Sequence, residues 1–327
     1  MTFFRRPEGL GAKTVFLPAI FRVAIHLLRP LRWAPICPGT SVIALDPIPD
    51  PGVDDFGKTL NSRPDIPEED TVLIRPVRGR GESPAAPDLI LGMTRPVLDR
   101  LVERTGAREA DVTDFGLYRA FEAGGPDTPP WMTLAGPFIG APQAVLGLER
   151  MIARGARRIW VTGWCGSLQP DLRIGDLVMP LDALSEEGTS RHYPTAESSP
   201  KTDPHLSQAL HTAVNHRGGT CRSGRLWTTD APYRETRRSV RAFQEAGILA
   251  VDMEMSALLA VAAFRGVRLT ALLVVSDELF ELTWRPGFSS PSLREGTGVL
   301  VEALLEAAGP FARGERGPAN GEQPVLP

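Results

Sequence analysis

"ILAVDMEMSALLAVAAFRGVRLTALLVVSDEL", residues 248–279, decides the fold class. It starts extended at Ile248, becomes an apolar helical run after Met253, and passes through Arg265 and Gly266 into "RLTALLVVSDEL" (268–279). That last run is rich in Leu and Val and almost free of polar interruption, as expected of a strand buried on both faces. Strand, helix and strand in succession predict a parallel crossover unit.

The alternation continues outward. "DLILGM" (88–93) reads as a short strand, and "RPVLDRLVERTG" (95–106) as a helix with Pro early and Gly at its end. "WMTLAGPFIGAP" (131–142) is a strand running into a Gly-rich turn. In "QAVLGLERMIARGA" (143–156), Val145, Leu148, Met151 and Ile152 share one helical face. "RRIWVTGWCGSL" (157–168) and "GDLVMPLDAL" (175–184) are strands, and "DPHLSQALHTAVNHRG" (203–218) and "RETRRSVRAFQEAG" (234–247) are helices. "SLREGTGVLVEALLEAAG" (292–309) is the closing helix. The pattern predicts an α/β fold: one three-layer domain over 88–309, with a mixed, mostly parallel twisted sheet covered by helices on both faces.

Flanking segments differ in composition. Residues 38–87 are rich in Pro, Asp and Gly and read as irregular structure, and residues 310–327 as a disordered tail. Residues 1–37 form an N-terminal extension. Its apolar stretch 14–28 is interrupted by Pro18, Arg22 and His26 and is too short to span a bilayer, which takes about 20 residues. It reads as a short amphipathic helix, with weak peripheral membrane contact as the alternative.

The chain of 327 residues carries a net charge of −3 with both signs interspersed. There is no basic stripe, which argues against a nucleic-acid partner. Three scattered cysteines, Cys37, Cys165 and Cys221, argue against a disulfide framework or a zinc site and favour a reducing cytoplasm.

In parallel sheets ligands bind at the carboxyl ends of strands, so the polar residues there carry the functional reading. Asp277 in "VVSDEL" ends a buried strand beside a low-dielectric interior, where a carboxyl can serve as proton donor; a helix N-cap is the plainer alternative. Glu254 in "VDMEMS" stands where extended chain turns into helix. It can accept hydrogen bonds from a diol or simply favour the helix's first turn. In "EEGTSRHYP" (186–194) an aromatic beside a His can stack a flat base or cover the core. "GPFIGAPQAV" and "GWCGSL" are Gly-rich turns where backbone N–H groups can approach an anion or a sugar. "WTTDAPYRET" (227–236), dense in polar and aromatic groups, is expected to line the site or a subunit contact, or else to be a polar loop.

Together, "GPFIGAPQAVLGLERMIARGA", "GWCGSLQPDLRIGDLV", "EGTSRHY", "VDMEMSALLAVAAFRGV" and "VVSDEL" resemble the nucleoside phosphorylase and nucleosidase superfamily. The branch is that of uridine phosphorylase, hexameric purine nucleoside phosphorylase and methylthioadenosine nucleosidase, and the resemblance covers roughly residues 88–309. It implies cleavage of an N-glycosidic bond through a ribosyl cation-like state. Glu254 would bind the ribose hydroxyls and Met253 would pack under the sugar. Tyr193 would stack on the base, with Ser276 beside it. Asp277 would protonate N7 of a purine leaving group, a match that favours purines over pyrimidines.

The acceptor side departs from the family pattern. Where phosphorylases carry an Arg and a Ser or Thr around the Gly-x-x-Gly turn (Gly163, Trp164, Cys165, Gly166), this chain has Val161 and Trp164. The first-strand loop "GMTRP" retains Gly92, with Arg95 one position from the family's Arg. A further phosphate Arg, supplied in the family by a neighbouring subunit, has Thr113 near its place. The loop also lacks the Glu that a hydrolase would use to activate water. The resemblance thus implies phosphorolysis, that is pentosyl transfer, with an atypical phosphate site. A nucleosidase using water is the alternative, and a non-catalytic nucleoside-binding module a second. It further implies no cofactor beyond inorganic phosphate as co-substrate, no metal, and a homo-oligomer.

Overall fold

A computed structural model describes residues 72–110, 116–125, 128–196 and 199–312. The 14–28 segment, Cys37, Thr113 and the tail beyond 312 lie outside the described residues.

The chain enters through residues 72–87, which carry no helix or strand, as their Pro and Gly content predicts. It continues through β1 (Asp88–Gly92), α1 (Arg95–Thr105), β2 (Arg108–Glu109), β3 (Arg119–Ala123), β4 (Met132–Gly136), α2 (Ala141–Arg154), β5 (Arg158–Ser167) and β6 (Leu177–Glu186). Then come α3 (Pro204–His216), β7 (Cys221–Thr229), α4 (Arg237–Glu245), β8 (Ala250–Asp252), α5 (Met255–Arg265), β9 (Arg268–Glu278), β10 (Arg285–Pro286) and α6 (Pro291–Ala312).

The sheet order is β10-β9-β6-β7-β8-β5-β1-β4-β3-β2, and β9 also pairs with β5. β4, β1, β5 and β9 run parallel, whereas β8 meets β5, and β6 meets β9, antiparallel. The predicted mixed sheet is therefore present. Helices cover both faces. α2 and α5 pack with Ile159 and Val161 of β5 on one side. α1, α3 and α6 pack with Trp160 of the same strand on the other. Alternation along one strand thus feeds two cores, which makes three layers.

Several segments differ from expectation, among them β2, β3 and β10, strands at the two ends of the sheet that the sequence pattern does not predict. β7 is a full strand although its first half, Cys221–Arg225, is polar. Its backbone pairs with β6 throughout, and β8 joins its second half, so pairing overrides pattern. At the other end, α6 continues to Ala312, past the Gly309 where the sequence suggested a stop.

Candidate active site

Strands β1, β4, β5, β8 and β9 all deliver their ends to one cavity of about 1000 Å3. From β9 come Ser276 and Asp277. β5 supplies Trp164, Cys165 and Gly166, the loop after β1 supplies Met93 and Thr94, and the β8–α5 junction supplies Asp252, Met253 and Glu254.

The Gly-Trp-Cys-Gly stretch, read from sequence as a turn, is instead the end of strand β5, and its second glycine has a geometric reason. β5 and β9 pair in register up to Cys165↔Val275, and then the register shifts so that Gly166 faces Asp277. A Cβ on Gly166 would lie 2.7 Å from Leu279 and 3.1 Å from Asp277 Oδ2, so only glycine lets the strand pass this close to the carboxylate.

Asp252 fixes the entry to α5. Its Oδ2 accepts from the backbone N–H groups of Glu254 at 2.9 Å and Met255 at 2.7 Å, and its Oδ1 from Thr228 Oγ1 at 2.6 Å. Glu254, buried beside it, accepts the Gly140 N–H at 2.6 Å and a backbone bond from Met253. A carboxylate offers about four lone-pair sites, so acceptor capacity remains for a ligand. Burial pushes both carboxyls above the ordinary range, and Asp252 pushes Glu254 further.

Asp277 does not cap a helix, because β9 runs through it to Glu278. Ser276 Oγ lies 2.6 Å from Asp277 Oδ1 and 3.3 Å from the Cys165 carbonyl oxygen. Burial, then Asp277 and Asp252, push the Cys165 thiol well up, so it stays neutral and is no nucleophile. Glu235, also in the lining, is pushed up to about 7 by burial and then by Asp277.

Trp164 Nε1 and Thr94 Oγ1, both of lining residues, are buried without a hydrogen-bond partner. Thr94 is also the N-cap of α1, and its side chain makes no capping bond. Arg119 lines the cavity and forms a two-bonded pair with Glu109 at 2.8 and 2.7 Å.

Several sequence candidates are not brought to the cavity. Tyr193 packs edge-on against Phe264, 5.5 Å between centroids, and hydrogen-bonds Glu149. Its loop is tied back by Glu187, which accepts from Ser185, Thr189, Ser190 and Ser256, so the ring faces α5 instead of the cavity. Arg95 points to solvent, its side chain 68% exposed and paired with Asp99. Gly92 and Gly163 lie behind the lining, where β1 pairs with β5 and Met93 fills the space beside Gly163. Val161 is core. Within 227–236, Pro232, Tyr233 and Glu235 line the cavity, as that stretch suggested. Thr94, Arg119, Trp284 and Phe288 also line it. Thr94, Trp284 and Phe288 sit at element ends and on connections with no periodic signal, and Arg119 opens β3, a strand the sequence pattern does not predict; the aromatics of "TWRPGF" (283–288) just past Asp277 are a visible cue.

Comparison with known proteins supplies the context. A guanosine phosphorylase of Halorubrum lacusprofundi is 30% identical over 174 residues, 53% of this chain and 72% of that one. A DeoD-type purine nucleoside phosphorylase of Bacillus cereus is 28% identical over 181 residues, 54% of this chain and 75% of that one. Among solved structures, the purine nucleoside phosphorylase of Toxoplasma gondii in complex with immucillin-H superposes with a TM-score of 0.63 at 22% identity, covering 75% of this chain and all (100%) of that one. A uridine phosphorylase of Vibrio fischeri superposes at 0.60 and 21% identity, covering 68% of this chain and 91% of that one. At these identities the superpositions speak for the fold alone. The model of the phosphorylase superfamily matches residues 89–306, so this chain belongs to the phosphorylase superfamily.

Proposed function

We propose that this protein cleaves the N-glycosidic bond of a purine nucleoside by phosphorolysis. The observation that carries the reading is one cavity lined by both Asp277 and the buried Glu254. Both relatives named above from sequence are purine-type phosphorylases by name.

Glu254 would accept hydrogen bonds from the ribose diol, with Met253 under the sugar. As the C1′–N9 bond breaks, its electron pair passes to the purine. Asp277, oriented by Ser276, gives its proton to N7, a contribution of about 10²–10⁴-fold for a positioned acid. A phosphate oxygen then bonds to C1′, giving ribose 1-phosphate, and the proton carried in by dihydrogen phosphate restores Asp277. The acceptor corner would use the unpartnered Trp164 Nε1–H and Thr94 hydroxyl together with the N-terminus of α1.

One observation favours a second reading. Glu235 lines the same cavity with its carboxyl near 7, the range in which a general base can take a proton from water. Water as acceptor would make the protein a nucleosidase.

The apolar residues Leu117, Ile139, Tyr233, Trp284 and Phe288 are exposed around the cavity, which supports a second copy of this chain covering its rim. Cys165 and Cys221 are free thiols, which suits the cytoplasm. Among the described residues no helix is long and apolar enough to cross a membrane.

Base release from guanosine, inosine and adenosine, with and without phosphate, tests the proposal. Release that requires phosphate and yields ribose 1-phosphate is expected. Equal release without phosphate would establish the nucleosidase reading.

A further inference from the structure

The segment that follows Asp277, "ELFELTWRPGF" (278–288), has no part in the reaction as described so far. The chain leaves β9 at Glu278, turns through Leu282 at a φ of +58°, and returns as β10, with Arg285 opposite Glu278 and Pro286 opposite Asp277. The Gly287 N–H then donates to the Ser276 carbonyl at 2.9 Å. A Cβ at Gly287 would lie 2.8 Å from that oxygen and 2.6 Å from Ile174, so the closure of this hairpin depends on glycine.

The hairpin brings the Trp284 indole N–H to 2.9 Å from Asp277 Oδ2. Ser276 Oγ–H donates to Oδ1 of the same carboxyl. Each oxygen therefore receives one neutral donor and keeps a second lone-pair site. Trp284 is itself held. Its ring meets Phe288 at 6.1 Å and 57°, and Phe288 stacks on Trp164 at 5.6 Å and 25°. Trp284 is 59% exposed, so water would satisfy its N–H equally well. The bond to Asp277 is thus a matter of orientation more than of burial.

We propose that Trp284 is a positioning residue for the acid. Its indole N–H fixes the carboxyl plane of Asp277 so that one oxygen faces N7 of the bound purine. This rests on the assignment of Asp277 as the proton donor. The torsion that turns a carboxyl is broad and soft, whereas proton delivery requires placement within about 10–20°. Ser276 alone holds one oxygen; the second donor removes the remaining rotation.

Turnover of guanosine is to be compared with that of 7-methylguanosine, whose base already carries the positive charge at N7 and departs without a proton. Trp284→Phe keeps the ring against Phe288 and removes the N–H. It should lower kcat for guanosine about tenfold with KM little changed, while 7-methylguanosine loses less than about twofold. Asp277→Asn should show the same selectivity, more steeply. Equal losses on both substrates, or none on guanosine, would overturn the positioning role. Selectivity in Asp277→Asn without selectivity in Trp284→Phe overturns Trp284 alone. Absence of selectivity in Asp277→Asn overturns the acid assignment and this inference with it. A readout independent of turnover is the Trp284 indole N–H proton resonance. It should move upfield in Asp277→Ala, and a resonance that stays in place would overturn the contact.

Discussion

Among the groups that line the cavity, the carboxyls of Asp277 and Glu254 are each held by named donors: Ser276 and Trp284 on one, the Gly140 and Met253 backbones on the other. The Trp164 indole N–H and the Thr94 hydroxyl, in the same lining, are buried with no partner. An unsatisfied buried donor or acceptor costs about 1–3 kcal/mol. A fold tolerates that cost where a ligand completes the bond. On the proposed reading the difference separates a preorganised nucleoside end from an acceptor end whose polar groups still have bonding capacity.

The sharpest way to break the comparison is Glu254→Gln. The amide keeps an oxygen for the Gly140 N–H but cannot ionise when the two diol donors arrive, whereas hydrogen bonds to the carboxylate favour the charged form of Glu254. Activity on nucleosides should fall by more than about 100-fold, whereas binding of free base changes little, because charged hydrogen bonds contribute about 1.5–3 kcal/mol each. Stability should move the other way. The folded-state carboxyl holds its proton more tightly than the unfolded one, so its contribution is present at acid pH and is lost as pH rises through neutrality. Melting at alkaline pH should therefore be about 2–4 °C higher for the variant than for the parent. A variant no more stable at high pH would mean that Glu254 is not held under electrostatic stress.

Next in size is Trp164→Phe, which keeps the stack on Phe288 and removes the orphaned N–H. If that N–H belongs to the acceptor, KM for phosphate should rise about tenfold with nucleoside KM within about twofold. A change confined to nucleoside KM would move Trp164 from the acceptor end to the nucleoside end.

Much of this arrangement was legible in the sequence, and the exceptions have physical causes. The strand and helix at 248–279 were readable because burial on both faces leaves a long apolar run and Gly266 closes the helix. Asp277 and Glu254 were readable because they interrupt apolar sequence at strand ends. Tyr193 was misplaced because an aromatic beside a His carries no direction; the network around Glu187 sets where it faces. Arg95 was misplaced because one residue of offset on a helix turns a side chain by about 100°. The contact of Trp284 with Asp277 is not legible from sequence because it arises from a hairpin that folds the chain back seven residues later.

Glu235 gives a smaller, pH-dependent effect. Its carboxyl lies near 7, so it gains negative charge across neutrality and repels an incoming phosphate. KM for phosphate should rise with pH more steeply in the parent than in Glu235→Gln, by about threefold between pH 6 and 8. If instead the variant loses turnover at every pH and releases base without phosphate no better than buffer, Glu235 is the base for water and the nucleosidase reading stands.

The smallest effect belongs to Arg95→Ala. In sequence this was the most promising cation for phosphate, one position from the family's Arg. In the structure it faces solvent and pairs with Asp99 four residues on, the kind of exposed helix pair that contributes about 0.3–0.5 kcal/mol. KM for phosphate should change by less than about twofold, and any deficit should fade with added salt because exposed charges are screened within about 10 Å at moderate ionic strength. A tenfold rise that persists in salt would mean that Arg95 swings into the corner when phosphate arrives. The acceptor end would then be completed by movement of α1's first turn, and the contrast between a finished end and a waiting one would become a contrast between a rigid end and a closing one.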